Sequence, residues 1–362
     1  VSKYFWNGSK WNQVKIPLLL SNPPSPLFPS TMERFTESVA SMVEGIGSNE
    51  KIHLGYVAAI YAVSIIIVSH VNTRRSLGSP SPLPPLSWNY VRACHYSLMI
   101  PLIVGSLLLD QFWPSNVYLV AFKAMANSYA IGSLDYIFSQ TRKASALACA
   151  GGSLLWLSSS FMVQMYLLRN VFGGDASMVR QTSYTPWAFA LEWLRTGHYL
   201  SLAGIFTDLV FSPMHRLTHH PLIYKRLHKG HHATTTQLSG LELWRGHALD
   251  DIIMAATIIV GFSATMVICT RLGLGYAFNP LSNTAWYIYQ VYLPYSHASD
   301  SRLAALIAPM PEALNFAAYH HVHHQDPSKN YGLTLPSDLL WDTLLGARTI
   351  VMPSEFAKRK GG

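Results

Sequence analysis

The sequence predicts an all-α protein: a bundle of membrane-spanning helices carrying a histidine-rich cap on its cytosolic face. Three observations predict it. Only 12% of the residues are charged and 50% are hydrophobic, whereas a soluble globular domain carries about 25% charged residues. Long uncharged runs, several near the length needed to cross a bilayer core, recur along the 362 residues. Finally, 12 of the 16 histidines fall between positions 215 and 324, beside the last of those runs. The net charge of +8 comes from basic residues in short clusters between apolar blocks. That placement suits the cytosolic flanks of membrane helices rather than a nucleic-acid surface, so no nucleic-acid partner is expected. Cys94, Cys149 and Cys269 are too widely spaced for a metal motif or a disulfide framework.

Residues 1–50 mix aromatic residues, lysines and the Pro/Ser-rich stretch SNPPSPLFPS (21–30), and are expected to form a partly ordered arm. They do not read as a cleavable signal peptide. Residues 51–195 form an N-terminal transmembrane region. Its first span is LGYVAAIYAVSIIIVSH (54–70), followed at once by Arg74 and Arg75. A second apolar run lies between Arg92 and Asp110, a weaker one near 115–122, and a further span over 144–168 with Gly151 and Gly152 inside it. Residues 196–350 form the histidine-bearing domain. The apolar run 199–212, broken only by Asp208, leads into the first histidines, and 252–270 and 272–295 read as a transmembrane hairpin, 252–295 overall. Two crossings return the chain to its starting side, so the histidines at 215–232 and 297–324 face one compartment. Arg216, Lys225, Arg226 and Lys229 lie among them, which makes that side cytosolic. Residues 351–362 are a basic tail ending KRKGG, similar to a dilysine-type retrieval signal for the endoplasmic reticulum.

The histidines keep helical phase. His215 and His219 are four apart. His228, His231 and His232 stand at i, i+3 and i+4, and His320, His323 and His324 repeat that spacing. Residues so spaced share a helix face and can converge on an ion. Neutral imidazole suits iron, zinc, copper and nickel. Eight such ligands exceed the needs of one ion, so two metals are expected. A pH-sensing cluster or a loose metal-buffering tract would not keep this phase over some hundred residues.

HRLTH (215–219), HKGHH (228–232) and HHVHH (320–324) resemble, in order and spacing, the three histidine boxes of the fatty acid hydroxylase/sterol desaturase superfamily of membrane di-iron enzymes. NYGLTLPSDLLWDTLLGAR (330–348) is similar to that family's ending, LSGLELWRGHALDD (238–251) to its segment carrying a single histidine, and YSHAS (295–299) to the site of a lone histidine before the last box. The resemblance, over roughly 205–348, implies His247 and His297 as further ligands. His247 departs from the family pattern in being followed by Ala248, and Asp250 stands where Glu is usual. His220 and His321 are extra histidines, read as groups that support the ligands from behind or as bystanders, and Asp208 is a candidate acceptor for the outer proton of a ligand imidazole.

Iron held by imidazoles with open positions can reduce dioxygen and attack an unactivated C–H bond, and such bonds abound in lipids. The resemblance therefore implies a membrane oxygenase that hydroxylates or desaturates a sterol, fatty acyl lipid or lipophilic specialised metabolite. It implies two iron ions (zinc can replace them on purification), O2, and electrons from NAD(P)H through cytochrome b5 or a reductase. The chain carries no nucleotide-binding motif, so the redox partner is a separate protein. Membrane lipids are the other expected partner, and a multi-pass location in the endoplasmic reticulum follows. The alternatives are an oxygenase of the same site that cleaves an aldehyde or rearranges a skeleton, and a membrane metal-binding or transport protein. Transporters place ionisable ligands within the spans, whereas these boxes flank the spans.

Overall fold

The computed structural model describes residues 2–6, 11–15, 47–77, 88–113, 117–138, 143–156, 185–233, 235, 238–272, 297 and 311–361. They fall into two units, Val1–Gly47 and Ser48–Gly362. In the first, β1 (Ser2–Trp6) pairs antiparallel with β2 (Trp11–Lys15), Tyr4 opposite Gln13 and Trp6 opposite Trp11. Aromatic residues favour strands, and the intervening sequence begins Asn7-Gly8, a pair that favours tight hairpins. The all-α expectation left this hairpin out, because two five-residue segments carry no long apolar run.

The described residues of the second unit are helical. α1 (Ser48–Ser76) buries a single stripe: Val57, Tyr61, Ser64, Val68 and Asn72, at spacings of three and four. Elsewhere on the same helix Val63 is 54% and Ile66 66% exposed, an apolar surface suited to lipid. α1 and the Ala248–Cys269 stretch of a later helix are long and apolar enough to cross a membrane. α2 (Trp88–Phe112) contains Pro101. α3 (Val117–Phe138) packs against both α1 and α2 and is buried on almost every side.

α3 extends well beyond the weak run expected near 115–122. Hydropathy penalises Lys123, Asn127 and Asp135, yet each is buried with a partner. Lys123 pairs with Asp110. Asn127 donates to Ser106 (2.9 Å) and Leu102 O (3.2 Å) and accepts from Tyr56 (2.8 Å). Asp135 accepts from Gly240 N at 2.6 Å. A buried polar group is tolerated once it is hydrogen-bonded, so the cost that hides this helix from a hydropathy reading is offset inside the bundle.

α4 (Ala146–Trp156) follows. α5 (Pro186–Thr218) then packs along α6 (Ala248–Arg271). The second arm of the expected hairpin lies outside the described residues except for Leu272, as does 157–168 of the expected span 144–168. The three cysteines are free thiols. Between α5 and α6 the chain makes short turns: Pro221–Ile223, a π turn at Tyr224–His228, and 3-10 turns at His231–Ala233 and Gly240–Trp244. The last is held by a capping box between Ser239 and the buried Glu242. α7 (Phe316–Gln325) is capped by Asn315, which accepts from Ala318 N at 3.2 Å. α8 (Leu335–Leu345) ends at Gly346, whose φ of +62° suits a residue without Cβ. α9 (Pro353–Gly361) closes the unit.

Candidate metal centre

His215 sits on the last turn of α5 and His219 directly follows its end, its N–H still donating to His215 O at 3.2 Å. The second box is not one helix face, as its spacing predicts. The π turn presents His228, Lys229 and Gly230 follow, and the 3-10 turn presents His231 and His232. The extra residue in the π turn and the tighter pitch after it redirect the rings. The third box lies on α7, as the spacing predicts.

The rings assemble into two groups. His215, His219, His228, His232 and His323 form one; His231, His297, His320 and His324 form the other. Ligand atoms within each group lie within 4.8 Å of one another. The second and third boxes are thus each divided between the groups. On α7, His320 and His324 share the phase of one group while His323 turns to the other.

The outer nitrogens fix how the inner ones point. His215 Nδ1 donates to Tyr331 O at 2.7 Å, and His323 Nδ1 donates to Lys329 O at 2.6 Å. His228 Nδ1 donates to the Asp250 carboxylate at 2.8 Å. A carbonyl or carboxylate oxygen can only accept, so these neutral rings present a bare Nε2 lone pair inward. Yet His215 Nε2 and His228 Nε2 are 2.9 Å apart. His228 to His232 is 3.0 Å, and His323 Nε2 stands 3.0 Å from His219 and 3.1 Å from His232. Two lone pairs at such a distance repel unless a cation lies between them. Nitrogens about 2.1 Å from one ion, at right angles, stand about 3.0 Å apart.

In the four-membered group His231 and His297 approach to 3.1 Å. Both ring nitrogens of His320 and of His324 are buried without a hydrogen-bond partner. Buried polar atoms are otherwise satisfied, so both groups fit metal ions.

Burial first, and then repulsion from neighbouring imidazoles, or from Arg245 at His231, holds all nine rings below the ordinary histidine pKa. His231 is lowered to about 4, and His219 and His320 to about 3. The rings are therefore neutral near pH 7, the form that binds a metal.

A cavity of about 20 Å³ lies where the groups meet, bordered by His215 and His228 from one and His231 and His297 from the other. This is room for about one water-sized molecule. Its apolar wall is Trp156, Phe211, Leu243 and Met254, and its polar edge is Asp250 and Asp251.

The structure brings nine of the ten expected ligands together. His247 is not among them. It is exposed beside the start of α6, where its Nδ1 accepts from Leu249 N at 3.2 Å and caps the helix. His220 likewise caps Pro221–Ile223, accepting from Leu222 N. His321 hydrogen-bonds Gln325, one turn along α7, and belongs to neither group. Asp208 touches no ligand imidazole. It accepts from Leu333 N (2.7 Å), Thr334 N (2.9 Å) and the Thr334 hydroxyl, and so fixes the loop whose Tyr331 carbonyl receives His215. The carboxylate that does meet a ligand is Asp250. Its signal in the sequence was an acidic pair, Asp250-Asp251, opening an apolar run. Trp156, far upstream, gave no signal at all.

The NYG…D…WD…G tail has a physical role. Asn330, at φ +44°, donates to Tyr319 O and Val351 O and accepts from Val351 N. Asp338 accepts from Ser212, Tyr319 and Gly332 N, and Asp342 from Arg216 at 2.7 Å. Trp341 donates to Leu209 O at 2.8 Å. The tail thereby clamps the end of α5 that carries His215 and leads into His219.

The sequence profile of the fatty acid hydroxylase family matches residues 200–347. The matched region contains every one of the nine converging histidines. The chain is also similar to methylsterol monooxygenase 1 of Danio rerio, 29% identical over 131 residues, which is 36% of this chain and 41% of that protein. The chain thus spans about two fifths of the length of the curated relative it matches. No solved structure matches the chain.

Proposed function

We propose that the protein is a membrane-bound non-haem di-iron oxygenase. It hydroxylates or desaturates a lipophilic substrate (a sterol, a fatty acyl lipid or a lipophilic specialised metabolite), using dioxygen and electrons delivered by cytochrome b5 or a reductase from NAD(P)H. The observation that carries this reading is the pair of imidazole groups whose ring nitrogens face one another at 2.9–3.1 Å. His215, His219, His228, His232 and His323 would hold one ion, and His231, His297, His320 and His324 the other. Iron in these positions supplies the activation of dioxygen needed to attack an unactivated C–H bond.

The chain's own residues do the rest. Asp250, Tyr331 O and Lys329 O aim three rings inward and hold their outer protons. Burial of the groups keeps bulk water from the site. Trp156, Phe211, Leu243 and Met254 offer an apolar wall against which an alkyl carbon can rest near the histidines. The methylsterol monooxygenase relative favours a sterol-sized lipid among the candidate classes. We place the site on the cytosolic side of the endoplasmic reticulum membrane in a multi-pass chain, because exposed Lys225, Arg226 and Lys229 lie beside His228.

The test is purified protein loaded with Fe(II), given a chemical reductant and a lipid extract. It should take up dioxygen and yield an oxygenated or newly unsaturated lipid by mass spectrometry. A protein that holds two ions yet takes up no dioxygen with sterol, acyl or terpenoid extracts would be a metal-binding or transport protein, and the oxygenase reading would fall.

A further inference from the structure

α8 is built inside out. Its face toward the protein is polar: Ser337 donates to Asp208 O (2.8 Å), Asp338 accepts from Ser212 (2.7 Å) and Asp342 from Arg216 (2.7 Å). Its exposed side carries Pro336, Leu339, Leu340, Thr343, Leu344 and Leu345, and the leucines dominate it. Leu339, Leu340, Leu344 and Leu345 are 55%, 44%, 63% and 60% exposed. A helix on a water-bathed surface shows the reverse pattern, apolar inward and polar outward.

The leucine face also continues beyond the helix. The turn Glu312–Leu314 touches α8, and Leu314 and the neighbouring Phe316 are each 40% exposed. Contiguous exposed apolar surface of this kind marks a membrane or partner contact.

The partners of the polar face set its depth. They are residues 208, 209, 212 and 216 of α5. Those residues straddle the end of the apolar run 199–212 and the start of the first histidine box. α8 is therefore tied to the level where the apolar run of α5, packed along the membrane-length α6, gives way to the cap. Trp341, whose indole N–H reaches Leu209 O, is the residue type enriched at that level.

We propose that α8 lies in the membrane–water interface, with its leucine face in the lipid, and docks the histidine cap on the bilayer. The occupant of this face is the acyl–headgroup boundary, into which an interfacial helix sinks its apolar side by roughly 5–10 Å. This goes beyond the oxygenase reading, since it concerns how the cap is seated whatever chemistry it performs. The same leucines bring the histidine groups next to the bilayer, so a lipid-dissolved molecule reaches them without passing through water.

The test uses the full chain in nanodiscs of phosphatidylcholine and phosphatidylserine. A Cys94→Ala background leaves only the two buried cysteines, Cys149 and Cys269. Nitroxide labels are placed singly at Leu340→Cys and Leu344→Cys, with Val63→Cys on α1 as the lipid reference and Ser328→Cys as the water reference. All four positions are exposed, so folding is kept. Collision with dioxygen and with a water-soluble nickel chelate is read by electron paramagnetic resonance. Dioxygen should dominate at 340 and 344, as at 63, and the chelate at 328. Chelate dominance at 340 and 344, with 63 reading lipid, would mean that the face meets water and would overturn the proposal. Exclusion of both colliders would mean that a protein covers the face, which overturns it too. If 63 itself reads water, the membrane reading of α1 fails and the proposal falls with it. None of these outcomes depends on metal content or turnover, so they leave the oxygenase reading to its own test.

Discussion

His228 meets Asp250 on its outer nitrogen and two further imidazoles on its inner one. Asp250 therefore sets both the tautomer and the aim of the ring. Outer partners of this kind are worth about 10–100-fold in metal affinity. Asp250→Ala should lower the affinity of the five-histidine group by about that factor, read by competition with a chelator, and leave the other ion in place. An unchanged titration would mean that packing alone holds His228. The lone histidines separate in the same way. His297→Ala should lose about one ion per chain while the protein still extracts as a monodisperse species, because His297 is one of only four imidazoles in its group. His247→Ala should keep both ions, since that side chain caps a helix in solvent. The adjacent pair at the end of the first box behaves alike: His219→Ala should empty one site, and His220→Ala should leave both full, since His219 joins the five-membered group and His220 caps the turn that follows. Elemental analysis of the four purified variants reads all of these, and equal losses for His219 and His220 would defeat the grouping.

At the scale of elements, the crossing of α5 and α6 places the metal groups. The crossing is closest at Gly261, where an added Cβ would come 2.4 Å from Thr207 N and 2.6 Å from its Cα. The obstacle is backbone, so it cannot rotate away. Small residues at helix contacts allow this approach in membranes. Gly261→Ala must push the helices apart, and overpacking of this kind costs about 1–3 kcal/mol. The measurable outcome is a lower midpoint of heat-induced loss of monodisperse protein, together with weaker metal retention, since Asp250 and the first box ride on the two helices. Gly55→Ala, on an open face of α1, should change neither. α4 makes a comparable approach: a Cβ at Gly152 would stand 2.8 Å from Trp244 O. That contact sets Trp156, one turn on, at the cavity wall.

For the whole molecule, the energetic problem is nine crowded imidazoles, eight of them buried and His219 half-buried, with, among the described residues, no carboxylate within either group. Metal binding removes that repulsion in the folded state only, so it stabilises the fold by mass action. The protein should carry two ions per chain, iron when supplied with iron, and zinc in part after overexpression. Chelation should lower the midpoint of thermal unfolding, and Fe(II) should restore it. At most one ion per chain after gentle purification, or a midpoint indifferent to chelation, would contradict the two-group centre.

The sequence alone determined the helical character, the long apolar runs and the three boxes with their metal-ready spacing. These depend on local quantities: the length of an apolar run, and a three-and-four spacing that needs only a helix to bring rings together. What lies beyond one turn was decided by tertiary structure. Spacing could not say that His231 leaves His228 and His232 for the group of His320 and His324, because the π turn and the 3-10 turn are products of packing. It could not separate His297 from His247, two single histidines of which only one is carried inward. It placed α3 too short, because Lys123, Asn127 and Asp135 look costly until their partners are known. It offered Asp208 as the partner of a ligand, whereas Asp250 holds that place and Asp208 fixes the loop behind it. An imidazole's spacing along the chain is a local property, but the atom that takes its second proton comes from elsewhere in the fold, and only the folded chain brings the two together.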